Sequence, residues 1–323
     1  MAATRRITIL MTGAGGFVGP YLGAALNRRF GDRARIVATS RNALECPTLG
    51  MVVELDVTNR VDVDDLINHI KPNVVVHLAG IASVTSAVAD PEQAWQIHLF
   101  GSLNVANAIL KFVPESLLLW IGTGQAYGAT ARSGLSLTET AVLAPTNDYE
   151  VTKAAADLAL GALGGKGLRC IRMRPFNHTG PGQSADFVVP GFAAQIARIE
   201  ARLQSAAIKV GNLEAERDFL DVRDVAEAYA MAIENAECCD CKTPIFNIAS
   251  GVPRSIKSIL NDLLALSSQK IEVVQDSSRM RSSDTPRYVG DARLAQGILG
   301  WTPKIEFAQT MHDTLNDIRR RIR

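Results

Sequence analysis

Tyr149 and Lys153 place a phenol and an ammonium four residues apart in Tyr149-Glu150-Val151-Thr152-Lys153. On a helix that spacing is about one turn, so both groups share a face. A phenol with a pKa near ~10 is a poor acid or base at neutral pH, but an adjacent cation favours phenolate and brings it toward a working range. The pair is thus suited to moving a proton at a ketone or alcohol carbon, and the ammonium can also hold ribose hydroxyls. Upstream, the segment Trp120-Ile121-Gly122-Thr123-Gly124-Gln125-Ala126-Tyr127-Gly128 supplies a hydroxyl. Thr123 can hydrogen-bond the reacting oxygen, which sets Thr123, Tyr149 and Lys153 around one carbonyl.

Such chemistry needs a redox partner, and the N-terminal region offers a place for one. In Gly13-Ala14-Gly15-Gly16-Phe17-Val18-Gly19, glycines fall at 13, 16 and 19, directly after an apolar run and at the opening of a helical pattern. The first permits a tight turn, the second lets backbone approach a pyrophosphate, and the third lets helix pack on strand. The phosphates would sit at the helix N-terminus, near Phe17 and Val18. At the end of the second apolar run stands Ser40-Arg41. An acid there would accept from an adenosine ribose, whereas a hydroxyl and a guanidinium suit a 2′-phosphate, so NADP(H) is expected over NAD(H), with NAD(H) still possible. Asp56-Val57 can meet the adenine amino group; Asp56 can equally cap the following helix, a task open to Thr58 or Asn59 as well.

The elements that must position these groups follow from the hydrophobic pattern. Short β-branched and aliphatic runs at Ile7–Thr12, Arg35–Thr39, Met51–Asp56, Asn73–Ala79, Ser116–Gly122 and Leu168–Met173 read as strands covered on both faces. Between them, Val18–Phe30, Val61–His69, Pro91–Phe112 and Asn147–Leu163 read as helices, with Asp90-Pro91 and Asn147 as start signals. Alternation of this kind predicts an α/β chain with a doubly wound parallel sheet. After Pro175 the alternation breaks, and Gly180-Pro181-Gly182, Gly211-Asn212 and Gly251-Val252-Pro253 punctuate shorter elements. Residues 1–176 are therefore expected to form the dinucleotide-binding domain, with 217–250 returning to it, and 177–323 mostly a smaller α/β substrate domain.

The composition narrows the partners. In 323 residues, 34 lysines and arginines face 33 acids, and no long run of one sign occurs, which argues against nucleic acid or an anionic membrane as partner. The apolar run Ile7–Met11 is too short for a signal peptide and no stretch is long enough to span a bilayer, so a cytoplasmic location is expected. Of five cysteines, Cys238, Cys239 and Cys241 are bunched, with no second cluster to complete a zinc site; reduced, structural thiols and no metal are expected.

With these residues in place, the sequence resembles the extended short-chain dehydrogenase/reductase family, also called the NAD-dependent epimerase/dehydratase family. The glycine loop, Asp56-Val57, His77-Leu78-Ala79-Gly80, Thr123 four residues before Tyr127-Gly128, and Tyr149/Lys153 fall in that family's order and spacing across nearly the whole chain. The resemblance implies a Rossmann sheet and adds Leu78, Ala79 and Gly80 to the cofactor site. It also implies a homodimer, because Pro91–Phe112 and Asn147–Leu163 resemble helices that pair as a bundle in the family.

The C-terminal half resembles the branch that acts on GDP-mannose derivatives. In Arg174-Pro175-Phe176-Asn177-His178-Thr179-Gly180-Pro181-Gly182-Gln183, Asn177 is implied to contact a diphosphate. Val210-Gly211-Asn212-Leu213 and Arg217-Asp218-Phe219 imply Val210 beside the nucleotide and Arg217 on a phosphate. Arg281-Ser282-Ser283-Asp284 implies Arg281 on the diphosphate and Asp284 on a ribose hydroxyl. Dehydratases of the branch carry a glutamate two residues after the catalytic threonine, to remove a proton from sugar C5; this chain has Gln125, which cannot act as a base. The resemblance thus points to NADPH-dependent reduction of the C4 ketone of GDP-4-keto-6-deoxy-D-mannose, with Gln125 beside the sugar. Nucleotide-sugar 4-epimerases use the same three residues with tightly held NAD⁺, and a dinucleotide-sensing regulator would share the fold. The intact Thr123, Tyr149 and Lys153 argue against a regulator. Two departures concern the sugar site: Gly80-Ile81-Ala82-Ser83-Val84 lacks the glutamine and hydroxyl residues of relatives, and His98 replaces an asparagine, where it reads as a satisfied helix histidine.

Overall fold

The computed structural model describes residues 6–236, 243–279 and 285–322. In chain order its strands are β1 (Ile7–Thr12), β2 (Ala34–Ser40), β3 (Leu44–Cys46), β4 (Gly50–Glu54), β5 (Val74–His77), β6 (Leu117–Ile121), β7 (Arg169–Pro175), β8 (Asn177–Thr179), β9 (Ala207–Val210), β10 (Glu216–Asp221), β11 (Ile245–Ile248), β12 (Pro253–Ser255), β13 (Glu272–Gln275) and β14 (Arg287–Tyr288). Eight of them make one sheet in the order β11-β7-β6-β5-β1-β2-β4-β3. All neighbours run parallel except the hairpin of β3 and β4.

The six expected strands are all present and all in this sheet, and every residue of β5 is buried, as apolar strands between two helix layers must be. One layer joins the helices Gly19–Phe30 and Val222–Glu234 to the sheet through Leu22, Leu26, Val225 and Tyr229; the other joins Arg60–Ile70, Ser102–Phe112 and Asp148–Leu163 through Val63, Ile109 and Leu160. Asn59, Asp90 and Asn147 cap their helices by accepting backbone N–H groups at 3.1, 3.0 and 3.0 Å. Asn59 is thus the cap left open above, and Asp56 instead accepts from Thr58 N and Oγ1 at 2.9 and 2.8 Å.

Two differences from the expected elements have local causes. Pro91–Phe112 is one helical stretch, but Gln96–Gly101 within it winds as a π-helix between α-helical Pro91–Trp95 and Ser102–Phe112. A π-turn moves one side chain off its regular register, and such turns gather at functional sites; here it carries His98. The stretch 217–250 is divided: β10 pairs with β8, β12 and β14 outside the main sheet, whereas Val222–Glu234 lies on helix Gly19–Phe30 and β11 forms the sheet's edge beside β7. Ala292, Ala295, Leu299 and Trp301 also pack into the sheet's own core. The remaining C-terminal elements, Val188–Glu200, Ile256–Ala265 and Phe307–Ile322, share a separate core with β9 and β10.

Strand order reverses between β1 and β5, so connections leave their carboxyl ends in opposite directions and open a crevice there. Thr12, His77 and Ile121 end the three strands that border it.

Candidate active site

A cavity of about 1260 Å³ fills that crevice and continues toward the C-terminal lobe. It is large enough for two ligands of nucleotide size.

At one end the glycine loop makes a cradle that no side chain could share. Gly13 has φ +69°, and a Cβ on it would stand 2.5 Å from Ala79 N. A Cβ on Gly19 would stand 1.9 Å from Ala14 O, so the third glycine is fixed by the close approach of the helix start to the backbone of the loop itself. Gly15, unassigned from the sequence, presses on β2 in the same way: its Cβ would meet Ser40 Oγ at 2.7 Å. Gly13, Gly16, Phe17, Val18, Gly19, Ser40, Arg41, Asp56, Val57, Leu78, Ala79 and Gly80 all line the cavity. A phosphate-accommodating backbone therefore opens directly onto a hydroxyl and a guanidinium, the donor set a 2′-phosphorylated dinucleotide requires.

The proton-transfer residues meet at the centre. Thr123, Tyr149 and Lys153 are 6%, 7% and 7% exposed, so each touches the cavity through a small window. Thr123 and Tyr149 are hydrogen-bonded through their side chains. Lys153 Nζ donates to Ile121 O at 3.1 Å and lies 5.5 Å from the Trp120 ring centroid. Burial lowers the Lys153 ammonium to about 8. From the sequence the ammonium is expected to draw the Tyr149 phenol down; in the structure the phenol is held above its ordinary value. Burial is the main cause, the Thr123 hydrogen bond opposes it, and the Glu150 charge adds to it.

The helix bearing Tyr149 and Lys153 is anchored to the sheet by a buried ion cluster. Asp157 receives Arg172 and Arg174 at 2.8 Å each. His98 is 1% exposed and ties the same helix to the loop after β5: Nδ1 lies 2.8 Å from Thr152 Oγ1, and Ile81 N donates to Nε2 at 3.0 Å. The His98 ring also meets Tyr149 edge to face at 5.7 Å. Burial first, and the Lys153 charge second, lower the imidazole to about 3, so His98 is neutral. It is a satisfied histidine.

Toward the C-terminal lobe, Gln125, Asn177 and Arg217 also line the cavity, and Arg217 donates to Glu216 O and Thr285 O at 2.8 Å each. Val210 does not line it: at 2% exposed it belongs to the small core, and its neighbours Gly211 and Asn212 face the cavity instead. An apolar side chain on β9 is drawn into that core, which leaves the polar turn to the ligand side. Arg281, Asp284, Cys238, Cys239 and Cys241 lie outside the described residues. Cys46 and Cys170 are buried free thiols, and burial pushes Cys170 up beyond reactivity. Three further lining residues escaped the sequence: His178, stacked on Phe17 at 6.2 Å and 4°, Arg279, and Tyr229 from helix Val222–Glu234. His178 adjoins Asn177 and was within reach of motif reading; Tyr229 sits in an ordinary amphipathic helix and gave no signal.

The family model for GDP-mannose 4,6 dehydratase matches residues 10–314. The chain is 33% identical over 317 residues, 98% of each sequence, to the GDP-6-deoxy-D-mannose reductase of Pseudomonas aeruginosa. It is 26% identical, over 90% of this chain and 91% of the relative, to the GDP-6-deoxy-D-talose 4-dehydrogenase of Aggregatibacter actinomycetemcomitans. Among solved structures, that of RMD from Pseudomonas aeruginosa complexed with NADPH superposes with a TM-score of 0.84 at 31% identity, over 98% of this chain and 99% of that one. Among the described residues no helix is long and apolar enough to cross a membrane.

Proposed function

Since the chain belongs to the GDP-mannose 4,6-dehydratase family of the extended short-chain dehydrogenases/reductases, we propose that it is an NADPH-dependent reductase of the C4 ketone of GDP-4-keto-6-deoxy-D-mannose. The observation that carries this reading is Thr123, Tyr149 and Lys153 converging on one cavity with Gln125, and no carboxylate, two residues after the threonine. The proton-transfer set of the family is complete, while the base for C5 deprotonation is missing. The two relatives named above act on sugars that differ only in configuration at C4, and the higher identity to the reductase favours GDP-6-deoxy-D-mannose, which is GDP-D-rhamnose, as the product.

The residues fit the cofactor: the Gly13–Gly19 cradle takes the pyrophosphate, Ser40 and Arg41 take the 2′-phosphate, Asp56 the adenine, and Lys153 the nicotinamide ribose. NAD(H) would forgo the Arg41 contact and is the weaker alternative. A bound nicotinamide supplies the hydride. The chain's side chains do the rest. Thr123 holds the ketone oxygen by donating its hydroxyl proton, and Tyr149 gives up its phenolic proton as that oxygen becomes an alkoxide. The raised phenol suits an acid that must keep its proton until the oxygen turns basic. Lys153, at about 8, is charged at neutral pH and stabilises the phenolate that remains. Arg217 and Asn177 hold the diphosphate of the sugar nucleotide, with Arg281 and Asp284 assigned to the same nucleotide on the family's pattern.

The pairing of two protomers through Ser102–Phe112 and Asp148–Leu163 belongs to this proposal. It is supported by two exposed apolar side chains, Phe100 in the π-turn that leads into Ser102–Phe112 and Leu158 on Asp148–Leu163, which are 47% and 61% exposed. Two lobes, a dinucleotide-binding one and a C-terminal one for the sugar nucleotide, are likewise proposed. The test is direct. Purified protein is given the 4-keto sugar nucleotide with NADPH, and NADPH consumption and the C4 configuration of the product are followed. Stoichiometric NADPH oxidation is expected; turnover without net oxidation, with NAD⁺ released on denaturation, would identify an epimerase instead.

A further inference from the structure

The chain contains five tyrosines. Four have hydroxyls with partners: Tyr21 donates to Pro181 O at 2.6 Å, Tyr127 to Asn247 Oδ1 at 2.7 Å, Tyr288 to Gly124 O at 2.9 Å, and Tyr149 is bonded to Thr123. Tyr229 is the fifth. It is fully buried, and its hydroxyl has no hydrogen-bond partner among the described residues. Buried hydroxyls are normally bonded, because leaving one unmade forfeits its hydration for nothing. Four other buried polar atoms share this condition: Arg29 Nε, His77 Nε2, Arg172 Nε and Arg254 Nε. None of those four residues lines the cavity, and each keeps other nitrogen atoms for bonding; Tyr229 lines the cavity, and the hydroxyl is its one polar side-chain atom.

The place of this hydroxyl in the fold selects a ligand group. Tyr229 stands on helix Val222–Glu234, which packs against the helix that follows the glycine loop, and it shares the core of β1, β6 and β7 rather than that of the C-terminal lobe. It therefore belongs to the cofactor's side of the cavity. Along that side the glycine loop and Arg41 mark the adenosine and pyrophosphate end, and Thr123, Tyr149 and Pro175 mark the reacting end. The Tyr229 phenol is within electrostatic reach of Tyr149, and with burial as the larger cause it is kept neutral, able both to donate and to accept.

We propose that the Tyr229 hydroxyl hydrogen-bonds the carboxamide of the nicotinamide. The inference rests on the cofactor assignment made above. A carboxamide carries both a donor and an acceptor, which a neutral hydroxyl matches in either sense, and an unpartnered hydroxyl at the cavity wall loses no protein contact in forming the bond.

The test is calorimetric binding to wild type and Tyr229→Phe of three ligands: NADP⁺, 2′-phospho-ADP-ribose, which lacks the nicotinamide, and an NADP⁺ analogue with an unsubstituted pyridinium ring. Loss of one neutral hydrogen bond weakens binding by about fivefold. NADP⁺ should weaken by that factor in Tyr229→Phe, while 2′-phospho-ADP-ribose and the pyridinium analogue bind both proteins alike. The ligand-free melting temperature should be unchanged or higher, since the hydroxyl removed had no partner. Unchanged NADP⁺ affinity, or equal weakening of all three ligands, would overturn the inference. If Tyr229→Phe does not fold, wild type decides: it must prefer NADP⁺ to the pyridinium analogue by at least the same factor, and equal affinities overturn the proposal. Wild type that binds neither NADP⁺ nor 2′-phospho-ADP-ribose refutes the cofactor assignment itself, a result separate from any behaviour of Tyr229.

Discussion

Acid should weaken this protein in part through its buried histidines, and His98 allows the effect to be isolated. In the folded chain burial lowers His98 from an ordinary 6.5 to about 3, whereas in the unfolded chain it titrates normally. Between those values the unfolded state binds a proton that the folded state refuses, so stability falls as pH falls. From about pH 7 to about pH 5 the group traverses roughly 1.5 units below its unfolded pKa, which at about 1.4 kcal/mol per unit removes ~2 kcal/mol. His77 is lowered to about 3 by the same causes in the same order, and contributes a similar loss. His98→Asn removes the titration while retaining an oxygen that can accept from Ile81 N. Urea unfolding followed by tryptophan fluorescence at the two pH values should show the variant losing about 2 kcal/mol less than wild type on acidification. Identical losses in both proteins would refute the reasoning, because His98 would then accept a proton without unfolding and could not be the sealed tie between Thr152 and the loop at Ile81. His98→Ala should also lower kcat/KM at neutral pH, since Ile81 would lose the anchor that holds its loop beside Lys153.

Lys153→Met should abolish turnover yet leave the ligand-free enzyme at least as stable at pH about 7. Burial lowers the folded ammonium to about 8, so between about 8 and the unfolded 10.5 the unfolded chain holds a proton that the folded chain has released, and wild-type stability should rise across that window. Melting curves across that window check both statements, and a wild type that weakens there would contradict them. Gly19→Ala drives a Cβ to 1.9 Å from Ala14 O, so it should cost about 3 kcal/mol or more and remove NADPH binding even where soluble protein is recovered. Gln125→Glu places a carboxylate where the dehydratases keep their base. Deuterium from solvent should then enter C5 of the 4-keto sugar with the variant and not with wild type, as read by mass spectrometry.

The readable parts of this molecule are those where local chemistry and periodicity act together. Six strands and the caps at Asp90 and Asn147 follow from patterns a few residues long, and the glycine triplet marks the tight turn between β1 and the helix next to it. What the sequence hid depends on separations that no local pattern encodes. β11 joins the sheet beside β7 from more than seventy residues away, as the register of Ile245 with Arg172 shows. The π-turn around His98 makes sense only once Ile81 and Thr152 are seen on either side of the ring. The direction of the Tyr149 shift is hidden for the same reason: a lysine one turn away is a local fact, but burial is a tertiary one, and it reverses the sign. That reversal bears on mechanism. A phenol lowered toward neutrality would suit removal of a proton from an alcohol, whereas one held above its ordinary value suits delivery of a proton to a ketone oxygen as charge develops there.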